Sequence, residues 1–117
     1  MNTKNVEKLR ESFICSQKVL QAIGDATRQN IILTLMEAQC GVGMRVGEIT
    51  KRTHLSRPAI SHHLKILKEA NIVYMRKHGT MNFYGIEIGG GLGDLLNLAK
   101  HLETFTIDYT NENKENV

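Results

Sequence analysis

Residues 56–70 collect the side chains most capable of chemistry in this chain of 117 residues. Their sequence, SRPAISHHLKILKEA, combines cations, hydroxyls and two adjacent histidines. Such groups can donate hydrogen bonds to base edges and phosphates, or in other settings bind a metal ion or act as a general base. Which chemistry applies depends on the spacing of the groups and on the elements that carry them.

The histidine pair, His62 and His63, is the part of this stretch that suggests a metal site or an enzyme. Adjacent helical residues point about 100° apart, so they cannot chelate one ion as an i, i+4 pair does. No set of nucleophile, base and acid accompanies them. We therefore predict that the chain is not an enzyme, that it has no catalytic residue, and that it needs no cofactor.

The stretch also has the features of a helix with one apolar and one polar face. Ser56 is a suitable N-cap, and Pro58 lies in the first turn, where a missing N–H breaks no helical hydrogen bond. Apolar residues recur at i, i+4 and i+7 and form a stripe for a core. The members of this stripe are Ile60, Leu64 and Leu67. His63 lies at the edge of the polar face, where it can turn toward the core.

Basic residues are concentrated around this helix. Seven of the 15 Lys and Arg residues lie between positions 51 and 78, where Glu69 is the sole acid. That segment therefore carries about +6, although the net charge of the whole chain is +3. A basic surface on a mildly acidic body favours a polyanionic partner over a merely solvated helix face.

The flanking sequence predicts a helix-turn-helix followed by a wing. Residues 46–53 form a short helix, and a brief turn connects it to the helix that starts at Ser56. Residues 72–77 and 81–88 are rich in β-branched and aromatic residues and predict a hairpin with a cationic tip. We expect the second helix and this hairpin to bind DNA. The candidate DNA-binding residues are Ser56, Arg57, Ser61, His62, Lys65, Arg76, Lys77 and His78.

The terminal segments are predicted to form a dimer interface. Apolar spacing predicts one helix over residues 4–23, a second over 26–38 and a last one over 92–106. The first and last helices carry more apolar surface than the rest can cover, so a two-fold partner is expected to bury it. The alternative is that they pack only on each other within one chain. The interface candidates are Val6, Leu9, Phe13, Leu92, Leu95, Leu96, Ala99 and Leu102.

Composition places the chain in one mainly α domain with a small β-hairpin. Apolar residues make up 41% of the sequence, and no apolar run approaches the roughly 18 residues of a membrane span. The polar N-terminus is not typical of a secretory signal, so we expect a cytoplasmic protein without a membrane partner. We predict a winged helix-turn-helix domain over residues 1–109, comprising a helix-turn-helix at 46–70 and a wing at 72–88. The glycines at 89–91 are expected to form a flexible break, and residues 110–117 a disordered tail.

Several motifs resemble those of the ArsR/SmtB family of bacterial repressors. Residues 22–28, AIGDATR, are similar to the family's ALGDPTR, with Ala26 in place of the usual proline. VGEI at 46–49 and LSRPAISHHLKIL at 55–67 are similar to its V-x-E-I and L-S-x-x-x-V-S-x-H-L-x-x-L motifs. The resemblance covers residues 20–86 and implies a homodimeric winged-helix repressor. Such a repressor is released from a double-stranded DNA operator by a metal ion or another signal.

The resemblance does not identify the signal. Members that sense soft metals place a C-x-C pair where this chain has RVGE at residues 45–48. Members that sense zinc combine carboxylates and histidines on the last helix, where only Asp94 and His101 are available here. Because a closed zinc site needs four ligands, we expect no metal site, and we expect His101 at the surface or the interface.

Besides a constitutive DNA-binding regulator with no small-molecule input, two alternatives to the DNA-binding repressor stay open. One is a winged-helix module that binds protein, with its basic face serving solubility or an acidic partner. The other is a thiol-based redox-sensing repressor that uses Cys15 and Cys40, the only cysteines of the chain. We expect Cys40 to be exposed in a glycine-rich loop and Cys15 to lie on a helix.

Overall fold

A computed structural model describes residues 3–115, which form six helices and a two-stranded antiparallel sheet. This architecture confirms the predicted mainly helical fold with a small β-hairpin. Within the described range, no helix combines the length and apolarity needed to cross a membrane. The elements are α1 (Thr3–Cys15), α2 (Gln17–Ile23), α3 (Ala26–Met36), α4 (Val46–Thr53), α5 (Arg57–Glu69), β1 (Val73–His78), β2 (Met81–Ile86) and α6 (Gly90–Glu115).

The hydrophobic core lies where α3, α4 and α5 meet each other and the start of β1. Burying one Leu or Ile side chain stabilises the fold by about 1.5–3 kcal/mol, so this cluster fixes the angle between α4 and α5. Its fully buried members include Ile31, Leu35, Ile49, Ile60, Leu64, Leu67 and Ile72.

Both ends of α5 are set by local hydrogen bonds. Ser56 Oγ accepts the N–H of a first-turn residue at 3.3 Å, which confirms the predicted N-cap. At the other end Asn71 adopts a left-handed φ of 56°. Its N–H donates to the carbonyl of Lys68 at 3.0 Å, and the N–H of Ile72 donates to that of Leu67 at 3.0 Å. This Schellman arrangement ends the helix and turns the chain into β1.

The prediction of one continuous helix over residues 4–23 is wrong, because the structure divides it at Ser16. Ser16 is fully buried, and its hydroxyl donates to the carbonyl of Asp94 in α6 at 3.3 Å. The backbone of Ser16 departs from regular helical geometry, with φ of −98° and ψ of 4°. As a result α1 packs along α6, whereas α2 packs against both α6 and α5.

Helix α6 begins earlier than the predicted range of 92–106. It starts at Gly90, so the glycine run is not a flexible break. Gly91 is packed against the end of α5, where a Cβ would overlap the carbonyl oxygen of Ala70. The absence of a side chain at this position therefore allows α6 to approach α5.

Helix α6 also continues to Glu115, so the prediction of a disordered tail is wrong for residues 110–115. Residues 116–117 lie outside the described range. Extending an existing helix adds one backbone hydrogen bond per residue, and this offsets the lack of apolar contacts in the polar end. Thr106 and Thr110 also donate their hydroxyls to carbonyls one turn back, both at 2.8 Å.

The hairpin is attached to the loop that precedes α4. Its strands are joined by Gly79 and Thr80, and Gly79 has a positive φ of 64°. Met44 forms an isolated bridge to β2, in which its N–H donates to the carbonyl of Tyr84 at 2.7 Å and its carbonyl accepts from Tyr84 at 2.8 Å. The loop over residues 37–45 and the hairpin are therefore held together by backbone hydrogen bonds.

Candidate nucleic-acid interface

The turn between α4 and α5 creates the helix-turn-helix. His54 adopts a left-handed φ of 60°, and its N–H donates to the carbonyl of Thr50 at 2.8 Å. Leu55 follows and packs against the core, and Ser56 then caps α5. In helix-turn-helix proteins that bind DNA, the second helix of the motif enters the major groove, and α5 holds that position here.

The polar face of α5 is open to solvent along its whole length. The opposite face is fully buried in the core, so the two predicted faces of the helix are present. A helix anchored in this way presents its outer side chains from a rigid base. The exposed residues of this recognition face are Arg57, Ser61, His62 and Lys65.

His63 lies on the side of α5 that faces the body of the molecule. Its Nδ1 accepts a hydrogen bond from the Arg28 guanidinium at 3.3 Å, and Arg28 also donates to the carbonyls of Ala22 at 2.6 Å and Gln21 at 3.2 Å. Burial lowers the pKa of His63, the charge of Asp25 raises it, and the charge of Arg28 lowers it. A neutral ring is therefore favoured, as an acceptor role requires. This contact between Arg28 and His63 was not predicted from the sequence.

Asp25 caps α3. Its carboxylate accepts the backbone N–H of Arg28 at 3.0 Å. This hydrogen bond lowers the pKa of Asp25; burial acts against it, and the charge of Arg28 lowers the pKa further. The backbone of Arg28 thus contacts the cap of α3, while its side chain contacts α2 and α5.

The hairpin register separates the cations of the wing. Arg76, Lys77 and His78 are all exposed. Paired residues of an antiparallel sheet share a face, and Lys77 pairs with Asn82 whereas Arg76 pairs with Phe83. Lys77 therefore lies on one face of the wing, and Arg76 and His78 lie on the other.

Arg76 is fixed to the loop in front of α4. Its guanidinium donates to the carbonyl of Gly41 at 2.5 Å and lies 5.4 Å from the ring centre of Tyr74. The hydrogen bond to Gly41 connects the wing to the loop, whereas the contact with Tyr74 lies within the wing. The sequence predicted a DNA contact for Arg76 but not this structural one, because the loop and the strand are distant in the chain.

An open cleft of about 900 Å³ separates α4 and the start of α5 from the wing. We call it the cationic cleft because Arg45, Lys51 and Arg57 line it. Its one acid, Glu48, is paired with Arg52 at 3.4 Å. Of these three cations, only Arg57 is among the DNA-binding residues predicted from the sequence.

The terminal helices form a second notable surface. Helix α1 lies along α6, with hydrogen bonds between Asn5 and Asp108 and between Ser12 Oγ and His101 Nδ1, the latter at 2.5 Å. Apolar side chains remain uncovered despite this packing, so α1 and α6 do not bury each other fully. Large exposed examples are Phe13, Ile14, Leu96, Leu102, Ile107 and Tyr109. Of the predicted interface residues, Phe13, Leu96, Ala99 and Leu102 are exposed, whereas Val6, Leu9, Leu92 and Leu95 are half-buried.

The cysteines and the histidine that were considered as redox or metal sensors do not lie together in one site. Cys15 and Cys40 are both free and exposed. His101 is half-buried against Ser12 between the terminal helices. In the part of the chain that the structure describes, no three His, Cys, Asp or Glu residues are grouped to hold a metal ion.

Comparison with known proteins connects this geometry to a family. Residues 25–75, from the cap of α3 into β1, match the family described as "Bacterial regulatory protein, arsR family". The HTH-type transcriptional regulator MJ1325 of Methanocaldococcus jannaschii is 42% identical over 76 residues, which cover 65% of this chain and 82% of that protein. The chain belongs to the ArsR family. The resemblance predicted from the sequence motifs is thereby confirmed.

Two further similarities were found, one in sequence and one in fold alone. Transcriptional repressor SdpR of Bacillus subtilis is 37% identical over 68 residues, or 58% of this chain and 71% of that protein. An ArsR-like transcriptional regulator from Rhodococcus sp. RHA1 shares the fold, with a TM-score of 0.73 at 24% identity over 90% of this chain and 89% of that chain. This ArsR-family chain is therefore a winged helix-turn-helix transcriptional regulator, and its relatives are regulators rather than enzymes.

Proposed function

We propose that this ArsR-family chain is a homodimeric repressor that binds an inverted-repeat DNA operator in the cytoplasm and is released by an unidentified signal. One observation carries the proposal: the recognition face of α5 is exposed beside a cationic wing, and both rest on a packed core. The repressor name of the relative SdpR supports repression as the outcome of binding.

Sequence-specific contact is assigned to the recognition face. In helix-turn-helix proteins the N-terminal residues of the second helix contact base edges in the major groove, and Arg57 is the first residue of α5. A bidentate contact from arginine to guanine contributes about 1–3 kcal/mol of discrimination. Ser61, His62 and Lys65 follow along the same exposed face and supply further donors. Ser56 Oγ accepts the cap hydrogen bond and keeps its proton for a phosphate oxygen.

The wing is assigned to sequence-independent phosphate binding. Lys77 is exposed, and its side chain has no hydrogen-bond or ion-pair partner among residues 3–113, whose side chains the structure describes, so its charge is available. His78 lies at the tip and Arg76 adds a charge near the loop. Neutralising phosphates releases counterions, which makes such binding strongly dependent on salt.

Dimerisation is assigned to the apolar surface of α1 and α6. Exposed large side chains on both helices persist after they pack on each other, and a two-fold partner would remove them from water. Two recognition helices related by such an axis meet successive major grooves when they are about 34–36 Å apart. The operator is therefore expected to be an inverted repeat.

The test of this proposal starts from a random pool of duplexes and assumes no operator sequence. The full chain is used to select duplexes from the pool, and the enriched duplex is then compared with a scrambled duplex of equal length by fluorescence anisotropy. The enriched duplex should bind at least about 10³-fold more tightly. Its affinity should fall steeply between roughly 50 and 200 mM salt. A chain that enriches no duplex and binds none at low salt would contradict the proposal and favour the protein-interaction alternative.

A further inference from the structure

We infer that a second cavity, at the base of the wing, binds a small, uncharged and mainly apolar molecule that weakens DNA binding when it enters. This cavity, the apolar pocket, has a volume of about 250 Å³. It lies between the end of α3, the loop over residues 37–45, the hairpin and the start of α6. The inference rests on the proposed function, because it names the chemical class and the site of the releasing signal. The main walls of the apolar pocket are Leu35, Met36, Tyr74, Ile86, Ile88 and Leu92.

The lining of the apolar pocket selects an uncharged ligand. None of the residues that line it is an Asp, Glu, Lys, Arg or His. The cationic cleft, by contrast, is lined by three basic side chains. An ion that entered the apolar pocket would leave water without meeting a group of opposite charge, which is strongly unfavourable. A neutral molecule has no such penalty, and its apolar surface gains from leaving water.

Tyr74 provides a polar group that can orient the ligand. A Cβ at position 85 would overlap the Tyr74 ring, so Gly85 allows this ring to pack directly on β2. The hydroxyl of Tyr74 has no hydrogen-bond partner among residues 3–113, the range in which side chains are described. It can therefore donate a hydrogen bond to a bound molecule or accept one from it. Sites for small ligands commonly combine apolar walls with a few polar groups of this kind.

The size and the rim of the apolar pocket indicate a ligand of one or two rings. A cavity of roughly 150 Å³ holds a benzene molecule, so about 250 Å³ accommodates a bicyclic molecule such as indole. Met36 and Ile88 lie at the rim and are 55% and 82% exposed, so a ligand that covers them removes apolar surface from water. The buried side chain of Leu35 forms the floor. A compact molecule reaches this floor, whereas a flat protein surface does not.

The loop that forms one wall connects the apolar pocket to the wing. Gly41 lines the pocket, and its carbonyl accepts the hydrogen bond from Arg76 at 2.5 Å. Gly41 has a positive φ of 81° and open space where a Cβ would be, whereas Leu35 and Tyr74 belong to a helix and a paired strand. The loop is therefore the wall that moves when a molecule enters. A ligand that binds better to the moved loop shifts the population toward a wing without its bond to Gly41, and so weakens the wing's contacts with DNA.

The first test measures binding in the absence of DNA. The neutral probes are indole, benzyl alcohol and cyclohexanol, and the charged control is indole-3-carboxylate. Alkylation by iodoacetamide compares Cys40, which lines the apolar pocket, with Cys15, which is also free and exposed but lies on α1. At least one neutral probe should slow the alkylation of Cys40 alone, and the carboxylate should slow neither cysteine. If no neutral probe protects Cys40, the inference is overturned.

The second test places a charge at the rim. Met36→Glu should lower the affinity for the protecting probe by about tenfold or more in calorimetric titration, because the new carboxylate loses water when the probe binds. Leu33→Glu is the matched control, since Leu33 is 62% exposed on the same helix but does not line the apolar pocket. Equal affinity in the two variants would contradict the assigned site. A dimer that Met36→Glu converts to a monomer in sedimentation analysis would assign the pocket to a second copy of the chain and overturn the inference.

The third measurement connects the apolar pocket to the operator. With saturating probe, the wild-type chain should bind the enriched duplex at least about fivefold more weakly, as is usual for coupled sites. Met36→Glu should show a much smaller effect. A probe that protects Cys40 but leaves duplex affinity unchanged would overturn the pocket as the site of the releasing signal. If the wild type binds no duplex while the probe still protects Cys40, the proposed function fails and the ligand site stands.

Discussion

The guanidinium of Arg28 donates a hydrogen bond to Nδ1 of His63 at 3.3 Å and so connects the start of α3 to the recognition helix. Arg28 also donates to two carbonyls at the end of α2, so one side chain contacts three helices. His63 contributes to this junction only as a neutral acceptor, because a protonated ring has no lone pair to offer. The packing of α5 against the start of α3 therefore depends on the protonation state of His63.

Stability is predicted to fall as the solution becomes acidic, and His63 is predicted to be one cause. Its pKa in the folded chain is lowered from 6.5, chiefly by burial, so the unfolded chain binds a proton more readily. Stability is thus lost as pH falls through 6.5 toward the lower folded-state value. Urea unfolding at neutral and mildly acidic pH should show a smaller loss for His63→Gln than for the wild type. His78→Gln, at an exposed position of the wing, is the control that should keep the full loss.

Specificity and salt dependence are predicted to separate in two single variants. Arg57→Ala should reduce discrimination between the enriched and the scrambled duplex by about 1–3 kcal/mol. Lys77→Ala should weaken both duplexes alike and lower the salt slope by about 1. Anisotropy titrations over a salt series measure both quantities. Unaltered operator preference in Arg57→Ala would show that the base readout has been assigned to the wrong residue.

Arg76 is predicted to act partly through the loop in front of α4. Arg76→Gln keeps a donor for the Gly41 carbonyl, whereas Arg76→Ala removes it. Hydrogen exchange of the hairpin amides should accelerate more in the alanine variant, since the wing loses an attachment. Equal exchange in the two variants would mean that the bond to Gly41 does not restrain the wing.

The dimer is predicted to depend on Leu96. This side chain is 64% exposed on α6, and Leu96→Glu should give a monomer in sedimentation analysis, with weakened binding to the inverted repeat. Leu33→Glu is a matched control, because Leu33 is 62% exposed but lies on α3. A dimer that survives Leu96→Glu and dissociates with Leu33→Glu would place the interface elsewhere.

Two glycines at the start of α6 are predicted to respond in opposite ways. Gly91→Ala would make a Cβ overlap the backbone oxygen of Ala70 and should destabilise the fold by more than about 1 kcal/mol. Gly93→Ala meets nothing within 4 Å and should be neutral, or stabilising by roughly 0.5–1 kcal/mol. Thermal unfolding of the two variants compares them directly, and a more stable Gly91→Ala would contradict the close contact between α5 and α6.

The recognition helix could be predicted from sequence because its determinants are local. Ser56 caps it, the stripe headed by Ile60 is buried as its spacing indicates, and Asn71 ends it in the left-handed conformation. Each of these signals lies within a few residues of the structure that it specifies. The family motifs reinforced the same segment, so the helix-turn-helix and the hairpin were also predicted.

The errors lie where distant contacts decide the structure. The break at Ser16 lies where its hydroxyl contacts the carbonyl of Asp94, 78 residues away. Leu98 is only 3% exposed. Its burial was not predicted, because the apolar residues around it on α6 were assigned to the dimer interface. The cationic cleft brings together side chains such as Arg45, which precedes α5 in the sequence, and Asn82, which follows it. Periodicity and local spacing contain no information about such juxtapositions.

The most direct test of specific, two-fold operator binding is a hydroxyl-radical footprint of the wild-type chain on the duplex enriched from the random pool. Two symmetric protected patches, with centres about 10–10.5 base pairs apart, are predicted for a homodimer that sets its two α5 helices in successive major grooves. A single protected patch, or uniform protection along the duplex, would contradict this central claim.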